Sequence, residues 1–166
     1  MASFDINARV RNSVDSKKIQ DVVQRMKTRI LVGYPSGRTH VEDARLGKGN
    51  TEQIETSELA KQLFYGTATI PARPFLEDAI RENKDEIAET LKSEAQKEFN
   101  GGQANWSKVG SMVVGKVQEL VRSDYYKNSI PNSPTTIALK GSDKPLIDTA
   151  DLINSTTFIV DKGGKE

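Results

Sequence analysis

The stretch that most constrains this chain runs from Ser57 to Ile80, where a helical pattern is stopped, held rigid and restarted. Ser57 is a favourable N-cap, and Leu59, Ala60, Leu63 and Phe64 recur at helical spacing. Gly66 stands where a left-handed C-terminal cap is usual, so the first helix is expected to end near Tyr65. Pro71 and Pro74 fix their own φ and push Ile70 and Arg73 toward extended backbone, which excludes a helix between them. Phe75 and Leu76 then open a second apolar helical face. Glu77 and Asp78 lie in its first turn, where the helix dipole favours negative charge.

The flanking sequence supplies strands and two longer helices. Phe4, Ile6, Ala8 and Val10 alternate with Asp5, Asn7, Arg9 and Arg11, the pattern of a half-buried strand over residues 3–11. Asp15 or Ser16 caps a helix whose apolar stripe is Ile19, Val22, Val23 and Met26, and Arg29 to Tyr34 reads as a buried strand stopped by Pro35. Residues 35–50 hold three glycines and no sustained periodicity, which predicts a long mobile loop of the kind that carries function. From Leu76 onward, Ile80, Ile87, Leu91, Ala95 and Phe99 keep one face until Gly101 and Gly102, a helix of about 35 Å in which Glu77 pairs with Arg81. After Trp106, Val109, Met112, Val113, Val117, Leu120 and Val121 share one side of a helix running to about Tyr126, antiparallel to the first. Residues 127–145 are turn-rich, Asp148 or Thr149 caps one helical turn through Leu152 and Ile153, and Thr156 to Val160 is a strand before a frayed Gly163-Gly164 tail. The expected architecture is α+β: a single domain over 1–166 with three or four mainly antiparallel strands covered by two long helices.

Composition narrows the classes of function. A chain of 166 residues suits one core; with 36% apolar and 28% charged residues, that core is modest and much helix surface is solvated, some of it expected to be interface. The absence of Cys excludes disulfides and thiolate metal sites. No apolar run approaches the roughly 18 residues of a membrane span, and the N-terminus lacks a signal-peptide core, so a soluble protein made in the cytosol is expected. A net charge of +1 exerts no global pull on nucleic acid, although Arg9, Arg11, Lys17, Lys18, Arg25, Lys27 and Arg29 make the N-terminal region basic.

Three motifs suggest chemistry and lack its context. Gly110 to Val117 comes within one residue of a phosphate-binding loop, but Val117 replaces the magnesium-binding hydroxyl and the segment lies on a helical stripe; its glycines are better explained by close helix packing. Asp148-Thr149-Ala150 resembles half of an aspartic-protease dyad without a second carboxylate, and reads as a capped turn. His40, the sole histidine, sits beside Glu42 and Asp43 with no second imidazole or thiolate to complete a tight metal site, and no Gly-x-Ser-x-Gly elbow accompanies it. Trp106 reads as a core residue or the start of a helix rather than a base-stacking platform.

The central hinge also carries a resemblance. Phe64-Tyr65-Gly66-Thr67 followed by Ile70-Pro71-Ala72-Arg73-Pro74-Phe75-Leu76 is similar to the signature of tail-completion, or head-tail joining, proteins of tailed bacteriophages. A second patch, Lys144-Pro145-Leu146-Ile147-Asp148-Thr149-Ala150-Asp151-Leu152, resembles the same family, which usually has Gly in place of Ala150. The resemblance implies a non-enzymatic virion protein without cofactors or metals. Its partners would be copies of itself in a ring, most often of six, together with the tail tube and the head-tail connector; DNA would only pass through the ring, and no membrane is involved. The implied location is the virion neck, after assembly in the host cytoplasm. Gly66, Ile70, Pro71, Pro74, Phe75, Pro145, Leu146, Asp148 and Thr149 are then motif positions that build the fold, and Arg38, His40, Arg45, Lys48 and Arg73 are candidate assembly contacts. Arg73 reads equally as a solvated cation or as one fixed by a carboxylate or carbonyl, in its own subunit or a neighbour. The alternatives are a small nucleic-acid-binding module using the basic N-terminal region, and a hydrolase, for which no compact titratable cluster is visible.

Overall fold

The computed structural model describes residues 27–37, 39–40, 54–147 and 151–162. The strand expected over 3–11, the helix over 15–26, and Arg38, Arg45, Lys48, Asp148 and Thr149 lie outside the described residues.

Two of the expected strands are present and pair with each other. Strand β1 (Arg29–Gly33) runs antiparallel to the later strand Thr157–Asp161, with Arg29 opposite Asp161, Leu31 opposite Ile159 and Gly33 opposite Thr157. Part of the span read as a loop is also paired: Thr39–His40 (β2) lies antiparallel to Ile54–Glu55 (β3), a backbone ladder that lone polar residues do not announce. The strands among the described residues therefore form two separate pairs rather than one sheet of three or four.

Helix α1 (Thr56–Tyr65) begins one residue ahead of the expected cap. Ser57 lies inside it, and its hydroxyl donates to the Glu55 carboxylate at 3.0 Å. The single long helix expected from Leu76 to Phe99 is broken into α2 (Phe75–Glu82) and α3 (Lys84–Phe99). Asn83 makes the break with φ −117° and ψ 22°, while its side-chain amide donates back to the Ala79 carbonyl at 2.9 Å. Helix α4 (Trp106–Arg122) keeps the expected stripe but stops short of Tyr126, because Ser123 turns extended and its hydroxyl donates to the Leu120 carbonyl at 2.7 Å. A short helix α5 (Tyr125–Ser129) follows. The turn-rich region holds another, α6 (Pro134–Lys140), in which Ser133 accepts from the Thr136 amide at 3.1 Å and Pro134 stands in the first turn. Helix α7 (Asp151–Ser155) leads into β4 (Thr157–Asp161).

Helix α4 is the middle layer. On one flank Gly110 meets β4: a Cβ there would lie 2.2 Å from Phe158 Cδ2, so only glycine admits the ring. The opposite flank, about 200° round the helix at Met112, faces α3: Met112 Sδ accepts the Thr90 hydroxyl at 3.6 Å, and Lys116 pairs with Glu86 at 2.9 Å. Gly115 has open space around it and does not serve close packing as Gly110 does. Phe75, Ala79, Val117, Val121, Tyr126, Leu146, Leu152 and Ile153 form the continuous core beneath. The chain is thus α+β, its small antiparallel β1–β4 sheet against the Gly110 flank of α4, α3 against the opposite flank, and α2 joined to α4 through the Phe75, Ala79, Val117 and Val121 core.

Candidate assembly surface

The hinge is as stiff as its prolines require. Gly66 ends α1 at φ 76° and ψ 172°, outside the left-handed helical cap expected of it, in a region open to glycine alone. A Cβ at Gly66 would also stand 2.8 Å from both the Ala72 amide nitrogen and the Ile70 carbonyl oxygen. Thr67 closes the turn: its amide donates to the Ile70 carbonyl at 2.8 Å, and its hydroxyl accepts from the amides of Thr69 and Ile70. At the far end the Arg73 amide donates back to the Leu63 carbonyl at 2.9 Å. Pro74, at φ −77° and ψ 60°, forms an inverse γ-turn that bonds the Phe75 amide to the Arg73 carbonyl and starts α2. Phe75 is wholly buried, with Tyr34 and Phe64 set edge-on to its ring at 6.0 Å each.

Arg73 points inward. It is 4% exposed; Nε donates to the Ile130 carbonyl at 3.0 Å, and Nη2 to the Pro131 carbonyl at 3.2 Å and Asn132 Oδ1 at 3.3 Å. Burial lowers its pKa, and no carboxylate pairs with it among the described residues. Of the two readings left open by the sequence, contact with carbonyls inside the subunit is the one observed. Arg73 is therefore withdrawn as an assembly contact, since a side chain this buried has no surface to offer a neighbour.

Two carboxylates fix the helices from within. Asp78 on α2 accepts from the buried Tyr126 hydroxyl and pairs with Arg81 at 2.5 Å, so Asp78, not Glu77, is the partner of Arg81. Burial, reinforced by the Asp78 hydrogen bond, pushes the Tyr126 phenol strongly up. Glu94 on α3 is fully buried and accepts from Lys97 at 2.7 Å and from the Asn105 amide at 2.8 Å, which together hold its pKa below the ordinary carboxylate value. One turn on, Glu98 accepts from the Trp106 indole at 2.8 Å. Trp106 is thus the first residue of α4, as read, and is held by a polar contact.

These inward acids displace the apolar residues of α3. Ile87 is buried as expected, but Leu91 and Phe99, read as part of the same inner face, are exposed, and Ile80 on α2 is also exposed. The β1–β4 sheet is open in the same way. Its inner face carries Ile30, Val32, Phe158 and Val160, all half-buried; on the outer face Leu31 and Ile159, direct cross-strand partners, are 55% and 61% exposed. Arg29 and Asp161 close one end of that pair with a 2.6 Å ion pair. The two side chains form an exposed apolar cross-strand pair on that outer face.

The remaining sequence candidates divide plainly. Residues 110–117 are interior turns of α4 and present no glycine loop to a phosphate. His40 lies in β2, paired through its backbone with Ile54. Pro145 and Leu146 form a turn in which Leu146, at φ 61°, is buried in the core. Among the described residues no group of three or more His, Asp or Glu side chains could hold a metal, and no helix is long and apolar enough to cross a membrane. Of the basic N-terminal residues, Arg29 is engaged by Asp161. The open faces were missed by reading each apolar stripe as core. No family model, curated protein or solved structure matches this chain.

Proposed function

We propose that this chain is a structural virion protein of a tailed bacteriophage, a tail-completion or head-tail joining protein that assembles as a homo-oligomeric ring at the neck. The reading rests on the hinge and the Lys144–Leu152 patch, which resemble that family. The structural observation that supports it is the pair Leu31 and Ile159, left in solvent on a sheet whose other face is packed against α4. Apolar area of this kind is removed from water by association. A ring of six copies, with the tail tube and the head-tail connector as neighbours and DNA passing through the opening, completes the proposal. A fuller sheet of three to four strands beside two long helices belongs to the same reading. Binding geometry is the mechanism, and no reaction is assigned to the chain.

Mass measurement of the purified protein, with electron microscopy of negatively stained particles, tests the proposal. Closed rings that join purified tails to DNA-filled heads are the expected result. A protein that stays monomeric at its highest soluble concentration and does not join heads to tails would overturn it.

A further inference from the structure

Resting on the ring reading above, we infer that the subunit contact is head-to-tail, with the outer stripe of α3 in one copy laid across the open face of the β1–β4 sheet in the next. The stripe is Leu91, Ala95 and Phe99, spaced four residues apart on one side of α3; Leu91 is 38% and Phe99 65% exposed. The receiving face is Leu31 with Ile159. Helix α4 stands between the two patches, so a single subunit cannot cover one with the other, whereas a second copy can. Two unlike patches in different layers are what a heterologous contact requires, and a heterologous contact closes into a ring when its rotation divides the circle.

The chemistry of the two patches matches. Inside each subunit the sheet already takes a helix on its inner face, α4 with Gly110 against Phe158. A second helix on the outer face would take Leu31 and Ile159 out of water in the same way. Taking roughly 200 Å² for a large apolar side chain, the four exposed residues hold about 400 Å². A standard interface buries roughly 1,600 Å² in all, so this apolar area is the right size for its water-free centre, with charged residues such as Lys92 and the Arg29–Asp161 pair in the polar rim. The inward turn of Glu94 and Glu98 explains how α3 comes to carry apolar residues on its outside: polar groups make its internal contact, and the apolar stripe is left for the neighbour.

The absence of Cys makes the test clean. Phe99→Glu and Ile159→Glu alter exposed side chains, so each is expected to keep the wild-type circular dichroism and to sediment as a monomer. An equimolar mixture of the two is expected to give a one-to-one heterodimer that grows no further, because each variant retains one intact patch. Independently, Phe99→Cys/Ile159→Cys should form a ladder of disulfide-linked oligomers on mild oxidation, while either single variant stays unlinked. If the wild type forms rings that both Glu variants also form, and the cysteine pair does not link, this contact is wrong while the ring stands. Disulfide dimers of a single Cys variant would show a two-fold contact and overturn the head-to-tail assignment. A wild type that is monomeric throughout removes the ring reading itself.

Discussion

Arg73 and Ile130 lie 57 residues apart in the chain and are joined by a 3.0 Å hydrogen bond from the guanidinium Nε to the carbonyl. Together with Pro131 and Asn132, Ile130 gives the buried cation three neutral acceptors, which ties the hinge to the turn ahead of α6.

Arg73→Ala should therefore act on stability. It leaves three acceptors without their donor and is expected to cost about 3 kcal/mol. Arg73→Lys keeps the charge but loses the planar fork, and about half that loss is expected. Urea denaturation of the isolated subunit measures both. An unchanged midpoint for the alanine variant would mean that the inward contact contributes nothing to the fold.

Phe75→Ala empties the centre of the core, where the ring is wholly buried between Tyr34 and Phe64. A loss of about 3–5 kcal/mol is expected, close to the whole margin of a typical domain, with Phe75→Leu losing much less. Soluble yield and chemical denaturation of the two variants check the order. Equal stability of Phe75→Ala and wild type would contradict the packing described.

Gly110 and Gly115 lie on one helix and should respond with opposite signs. Gly110→Ala drives a methyl group into the Phe158 ring and should destabilise by about 1–3 kcal/mol. Gly115→Ala meets nothing within 4 Å and should stabilise by up to about 1 kcal/mol through helix propensity. Thermal melts of the pair decide it; shifts of the same sign would refute the asymmetry.

Glu94 and Tyr34 should each add pH dependence to stability, at opposite ends of the range. Glu94 has a folded-state pKa below its unfolded value, chiefly through the Lys97 hydrogen bond and then the Asn105 amide. Its contribution is present above the unfolded carboxylate pKa and is lost as pH falls through the folded one. Glu94→Gln should therefore be less stable than wild type at neutral pH and converge with it in acid. Tyr34 shifts the other way: burial outweighs its Thr156 hydrogen bond and raises the phenol to about 12. Its contribution is present below the unfolded value and is lost as pH rises through the folded one. Tyr34→Phe should flatten the alkaline limb of a stability–pH curve. Parallel curves for either variant and wild type would remove that group from the account.

Local periodicity made α1 and α4 legible, because each buries a stripe of its own; β1 and β4 were legible from their apolar, β-branched runs, although β1, read as buried, leaves Leu31 in solvent. The hinge was legible from Pro71 and Pro74, which act on their nearest neighbours. Helix α3 was misread because its inner face is polar: Glu94 and Glu98 are satisfied by Asn105 and Trp106, beyond the intervening turn, and no pattern within the helix reveals those partners. The break at Asn83 carries neither Gly nor Pro, so the helical pattern reads through it. Helix α6 did leave a signal, Ser133 followed by Pro134 and closed by Gly141, and the prolines nearby obscured it. Of the candidate surface, Arg73 was read equally as a solvated or a fixed cation, and the sequence could not choose, since Ile130, Pro131 and Asn132 are brought to it by the tertiary fold alone.

The pairing of β1 with β4 sets an order on how this molecule comes to be made. Arg29 and Asp161 are separated by 132 residues, so the ladder has a high loop-closure cost and no local nucleus. On the ribosome, β1 is synthesised before the other described elements and β4 after them. Helices α2, α3 and α4 have their local contacts first, while the Gly110 flank of α4 remains uncovered until Phe158 arrives. The Gly110 flank of α4 therefore waits uncovered until β4, the last of the described elements, has emerged.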